Sequence, residues 1–107
     1  MVTWTPRARA DLKAIHDHIA KDSPATAKTI ARELACKPDI LLRFPLIGHK
    51  VPEVNDDNLR ELSLHSWRII YHLRQDGIHI ITLVHKRQQS PSDSLAPRQT
   101  QPDSSGM

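Results

Sequence analysis

Trp67-Arg-Ile-Ile-Tyr-His-Leu-Arg74, then Gln75-Asp76-Gly77, then Ile78-His-Ile-Ile-Thr-Leu-Val-His-Lys-Arg87 reads as one β-hairpin with two unlike faces. Asp76-Gly77 supplies two residues that tolerate positive φ in a tight turn, and β-branched residues crowd both arms. With that turn, period-two alternation places Trp67, Ile69, Tyr71, Leu73, Ile78, Ile80, Thr82 and Val84 on one face. The opposite face carries Arg68, Ile70, His72, Arg74, His79, Ile81, Leu83, His85 and Arg87. The first face suits a core; the second is basic and only half apolar. Arg68 falls opposite His85 and Arg74 opposite His79, so cationic or titratable groups meet where repulsion is normally avoided. That pattern suits a surface that meets an anion.

Working upstream, Leu59–Leu64 reads as a strand that feeds the hairpin through a turn at His65-Ser66. Leu62 and Leu64 then join the face of Trp67 and Ile69, while Glu61 and Ser63 join the basic face, with Glu61 placed to pair with Arg68. Arg60 has core-face parity at the strand's outer end, where its stem covers apolar residues and its head forms an ion pair with Glu53 or Glu61.

At the N-terminus, Val2-Thr3-Trp4 is a short β-prone run ended by Thr5-Pro6, a cap followed by a proline suited to a first helical turn. Ala8, Leu12, Ile15 and Ile19 recur as one helical stripe. Ser23-Pro24 repeats the start signal, and a second stripe runs through Ala27, Ile30 and Leu34, resumed by Leu41 or Leu42. The short link makes the two helices an antiparallel hairpin. Pro38 interrupts the second stripe and predicts a kink or break, costing about 3 kcal/mol inside a helix. Phe44-Pro45, Gly48 and Pro52 mark a loop to Asn58.

At 107 residues, with 38% hydrophobic and 4% aromatic content, the chain predicts one domain with a modest core. Residues 1–87 form that domain. Residues 88–107, with five Ser, four Gln, three Pro and Leu95 as their one large aliphatic residue, predict a disordered tail. The first 87 residues hold 14 Lys and Arg against 10 Asp and Glu, so the basic character lies in the folded part. Such a balance is a mild signal for nucleic acid or an acidic partner. One cysteine, Cys36, excludes an internal disulfide and points to the cytoplasm, and it reads as a small packed residue. No apolar run suits a signal peptide or a membrane span. His16 and His18 point about 200° apart on a regular helix and cannot chelate one metal. Neither metal nor cofactor is expected.

Seven pieces, in order, carry a family resemblance: Trp-Thr-Pro-Arg-Ala (4–8), Ser-Pro (23–24), Phe-Pro-x-x-Gly (44–48), Val-Pro-Glu (51–53), Leu-Arg-Glu-Leu (59–62), Trp-Arg-Ile-Ile-Tyr (67–71) and Val-His-Lys-Arg (84–87). Together they resemble the ParE branch of the RelE/ParE toxin superfamily. The resemblance implies an α+β fold in which an N-terminal strand precedes an antiparallel helical hairpin packed on a small antiparallel β-sheet, the arrangement read from the residues above. It also implies the toxin of a type II toxin–antitoxin pair, neutralised by a cognate antitoxin of ParD-like or other type, and touching DNA only through that antitoxin. ParE-like members are associated with poisoning DNA gyrase; RelE-like members cut mRNA on the ribosome.

RNA cleavage needs a proton acceptor, a cation for the developing phosphorane charge and a proton donor. Arg68, His85 and Arg87 are the residues that could supply these under the ribonuclease reading. The chain lacks a lysine cluster in the middle strands, and Tyr71 belongs to the core face by parity, so gyrase inhibition ranks first. For partner binding the expected residues are Glu61, Arg68, Arg74, His85 and Arg87. A plain nucleic-acid-binding module would want aromatic platforms on the basic face, yet Trp67 and Tyr71 sit on the other. An inactive relative, kept as an antitoxin-binding co-repressor, stays open.

Overall fold

A computed structural model describes residues 1–87. The expectation for 88–107 lies outside the described residues. Thr5 opens the first helix as read: its Oγ1 accepts from the Ala8 N–H at 3.1 Å and also donates to the Ile80 carbonyl at 2.7 Å. One hydroxyl thus caps α1 (Pro6–Ala20) and ties it to the sheet. Ser23 caps α2 (Pro24–Cys36) by accepting from the Thr26 N–H. Pro38 does break the second helix, which passes at Lys37 into a 3-10 turn, Lys37–Leu42, with Pro38 buried at its start. Leu41 rather than Leu42 resumes the buried stripe.

Five strands follow the order β1-β5-β4-β3-β2: β1 (Val2–Trp4), β2 (His49–Lys50), β3 (Leu59–Leu64), β4 (Trp67–Arg74) and β5 (Gly77–His85). The predicted loop from Phe44 to Asn58 therefore contains a two-residue strand. The sheet is not wholly antiparallel, because β1 runs parallel to β5, with Val2 beside Ile78 and Trp4 beside Ile80. The helical hairpin takes the chain from β1 to the far edge of the sheet at β2, and the run β2-β3-β4-β5 brings it back beside β1, which gives the long connection a parallel pair requires. The β3–β4 turn falls at His65-Ser66 as predicted, with Leu64 facing Trp67 and Leu62 facing Ile69.

The β4–β5 register differs from the expectation in two places. Gln75-Asp76 forms the turn, followed by Gly77 at φ 133°, so Arg74 faces Gly77 and His72 faces His79. Beyond Tyr71–Ile80 the pairing slips: Ile70 faces Thr82, and Ile81 is the extra residue of a β-bulge. Side-chain parity inverts past the bulge. Leu83 and His85 pass to the face of Ile69 and Trp67, and Arg68 faces Val84 instead of His85.

The main core lies between helices and sheet, around Ala8, Leu34, Leu41, Leu62, Ile69, Tyr71, Ile80 and Leu83. Each buried aliphatic side chain there contributes about 1.5–3 kcal/mol by leaving water. The half-apolar second face has a cover of its own: Val51 and Val54 fold over Leu59, Ile70 and Ile81.

Candidate functional site

The open face of the sheet, opposite the helices, is built from alternate residues of β3, β4 and β5. Arg68 occupies it with 12% of its side chain exposed. Its Nε donates to Glu61 Oε1 at 2.8 Å and its Nη2 donates to the same oxygen. The two Nη atoms also reach the Glu53 carboxylate at 3.3 and 3.2 Å. Glu61 pairs with Arg68 as predicted; Glu53, carried by the β2–β3 loop, completes the cage. Burial works against the charge of Arg68, but hydrogen bonds and attraction from Glu61 and Glu53 outweigh it and hold the guanidinium above its ordinary range. The anion expected for this face is therefore supplied by the chain itself.

The rest of the face follows suit. His72 Nε2 lies 3.3 Å from Asp56 and His79 Nε2 lies 3.0 Å from Asp76. The hydrogen bond from His79, opposed slightly by burial, holds Asp76 below the usual carboxylate range. Lys50 pairs with Asp57 at 3.1 Å. Arg74 is exposed at the hairpin tip beside Asp76.

His85 sits on the other side. Its ring meets Trp67 edge-on at 5.5 Å between centroids, and its Nδ1 accepts from the Arg87 N–H at 3.0 Å, which assigns any ring proton of the neutral form to Nε2. Together with Asp11, His18 and Leu83, it lines a cleft of about 430 Å³ between α1 and the hairpin. Arg87 is exposed. The structure thus keeps Arg68 with Glu61 and separates both from His85, across the thickness of the sheet.

Two residues took roles the sequence did not suggest. Arg60 makes no ion pair with Glu53 or Glu61, both of which Arg68 engages. Its Nη1 donates to the Gly48 carbonyl at 3.0 Å and lies 3.5 Å from that of Leu46. Asp11 accepts from Thr82 Oγ1 and from the Leu83 N–H at 3.1 Å, which ties α1 to the bulge. Cys36 is exposed rather than packed, since α2 ends there and the chain turns away into the 3-10 segment.

A groove of about 630 Å³ runs beside the edge strand β1, lined by Val2, Trp4, Leu12, Ala31 and Ala35 and bordered by Arg9, Lys13 and His16. It is apolar along its floor and basic along its rim.

A family profile described as the ParE toxin of the type II toxin–antitoxin system parDE matches residues 2–90. Toxin RelE2 of Caulobacter vibrioides is 36% identical over 85 residues, covering 78% of this chain and 92% of that protein. A solved structure titled as the chromosomal ParDE system from P. aeruginosa superposes with a TM-score of 0.66 at 23% identity, covering 78% of this chain and 92% of that one, which shows the shared fold.

Proposed function

The chain belongs to the ParE toxin family of type II toxin–antitoxin systems, and on that premise we propose that it arrests growth by binding DNA gyrase and is neutralised by a cognate antitoxin in the cytoplasm. The observation that favours this over mRNA cleavage is the inverted parity of His85. A ribonuclease needs its proton-transfer group and its cation on one phosphate. Here the imidazole packs against Trp67 on the helix side, while the guanidinium of Arg68 lies on the open side, held by Glu61 and Glu53. Such an arrangement supports a protein built to bind.

The antitoxin has a fitting seat in the groove beside β1. Its apolar floor suits one stripe of an amphipathic segment, and the rim of Arg9, Lys13 and His16 suits acidic residues flanking that stripe. Exposed Arg74 and Arg87 are further proposed contacts for acidic side chains, and His85 for a partner reaching the α1 cleft. Arg68 and Glu61 act by holding the β2–β3 loop on the sheet.

Expression of the wild type and His85→Gln without antitoxin tests the reading. Gyrase inhibition predicts chromosome breaks, trapping of purified gyrase on cleaved DNA, and toxicity only partly reduced by the substitution. Codon-phased mRNA cuts with intact chromosomes, lost by about 10²–10⁴-fold in His85→Gln as for a proton-transfer group, would sink it in favour of the ribonuclease.

A further inference from the structure

The loop that joins the 3-10 turn to β2 turns large apolar side chains to solvent, and the geometry points to it as the surface that grips the toxin's protein target. Leu42 is 57% exposed, Phe44 53%, Leu46 64% and Ile47 48%. The loop is nevertheless pinned. Tyr71 Oη donates to the Pro45 carbonyl and accepts from the Gly48 N–H, both at 3.0 Å, and Arg60 donates to the Gly48 carbonyl. Two side chains of the sheet's core-facing parity hold the loop backbone inward at Pro45 and Gly48; Leu46 and Ile47 between these anchors, and Phe44 just before them, stay exposed. Phe44, Leu46 and Ile47, with Arg43 and Pro45, line a shallow concavity of about 410 Å³, and the Arg43 guanidinium lies 5.7 Å from the Phe44 ring centre.

Exposed apolar side chains gathered in one place mark protein contacts rather than phosphate contacts. Charge narrows the choice of protein. From Lys37 to Lys50 the segment carries Lys37 and Arg43 against Asp39, besides Lys50, which pairs with Asp57. Two copies meeting here about a twofold axis would bring Arg43 toward Arg43, an unfavourable juxtaposition. Residues 88–107 offer only Leu95 as a large aliphatic side chain to fill the concavity. The groove proposed for the antitoxin shares no lining residue with this loop. The occupant is then a separate protein that presents an apolar cleft flanked by carboxylates. This rests on the toxin reading above, though not on gyrase being the target.

The test uses the full chain carrying Phe44→Ser with Leu46→Ser, and separately Arg43→Glu. All three sites are exposed, so the melting temperature should hold. Purified antitoxin should bind each variant within threefold of wild type, while growth arrest on expression without antitoxin falls at least tenfold in surviving cells. Undiminished growth arrest would overturn the inference. A tenfold loss of antitoxin affinity would assign the loop to the antitoxin, and wild-type self-association abolished by the variants would assign it to a second copy; either result also overturns it. The gyrase reading fails on a different observation, wild-type growth arrest without inhibition of purified gyrase, and the comparison of growth arrest still decides the role of the loop.

Discussion

Tyr71 shows how much one buried polar atom can fix. Its ring is in the core and its hydroxyl is spent on the Pro45 carbonyl and the Gly48 N–H. Gly48 is required there, because a Cβ would lie 2.6 Å from the Glu61 carbonyl oxygen and closer still to the phenol. Burial raises the Tyr71 pKa above its ordinary 10.0, against smaller opposing effects from the Gly48 N–H and the charge of Arg60. The folded state therefore favours the neutral phenol. This stabilisation is fully present below pH 10 and is lost as pH rises through the higher folded value, where the unfolded chain has already ionised. Tyr71 is the chain's one tyrosine, so tyrosinate absorbance reads it directly. We expect its ionisation to be delayed in the native protein and to coincide with alkaline unfolding. Tyr71→Phe should leave the Gly48 N–H without its acceptor and cost about 1–3 kcal/mol in urea denaturation. A native tyrosine that titrates at 10.0, or a Phe variant as stable as wild type, would count against this account. Arg68 is the converse case, a charge kept in place by two carboxylates of its own chain.

The elements differ in how openly the sequence declares them. The caps at Thr5 and Ser23, the break at Pro38 and the His65-Ser66 turn were legible because each rests on local chemistry. The β4–β5 register was not. Ile80, Ile81 and Thr82 are three β-branched residues in a row, none of them charged, and either parity fits them, so the bulge at Ile81 left no trace in the pattern. Beyond it, simple alternation puts Leu83, Val84 and His85 on the wrong faces. Glu61 with Arg68 was legible because both lie before the slip. The parallel pairing of β1 was hidden too, as a three-residue strand joins a partner near the far end of the domain. What stabilises the bulge is Asp11, whose carboxylate accepts from Thr82 Oγ1 and the Leu83 N–H. Asp11 lies beside the apolar stripe of α1, where periodicity gives it no distinction. Asp11→Ala should cost about 1.5–3 kcal/mol, the worth of hydrogen bonds to a charged group, and should speed amide exchange at Leu83. Unchanged exchange at that amide would show that the bulge holds without the carboxylate.

At the scale of the whole molecule, the described residues form one sheet with the helical hairpin on one side and the β2–β3 loop on the other. Along one edge β1 presents backbone groups that β5 does not use, next to the apolar groove bordered by Arg9, Lys13 and His16. Lys13 already pairs with Asp17 on the surface at 2.8 Å; that hydrogen bond raises the Lys13 pKa and lowers that of Asp17, so neither changes charge near neutral pH. An acidic antitoxin segment must compete with Asp17 for Lys13, whereas Arg9 is open to it directly. Exposed pairs add only a small increment each. Affinity carried mainly by apolar burial, with that increment of charge, should therefore weaken about fivefold between 0.1 M and 1 M salt, where screening removes exposed pairs but spares the buried contact. Titration calorimetry of the purified pair at both salt concentrations reads the difference. Arg9→Gln should show weaker binding at low salt and converge on wild type at high salt. Equal affinities at both concentrations would place the acidic residues of the antitoxin elsewhere. A loss of a thousandfold or more would make charge rather than the apolar floor of the groove the main source of affinity.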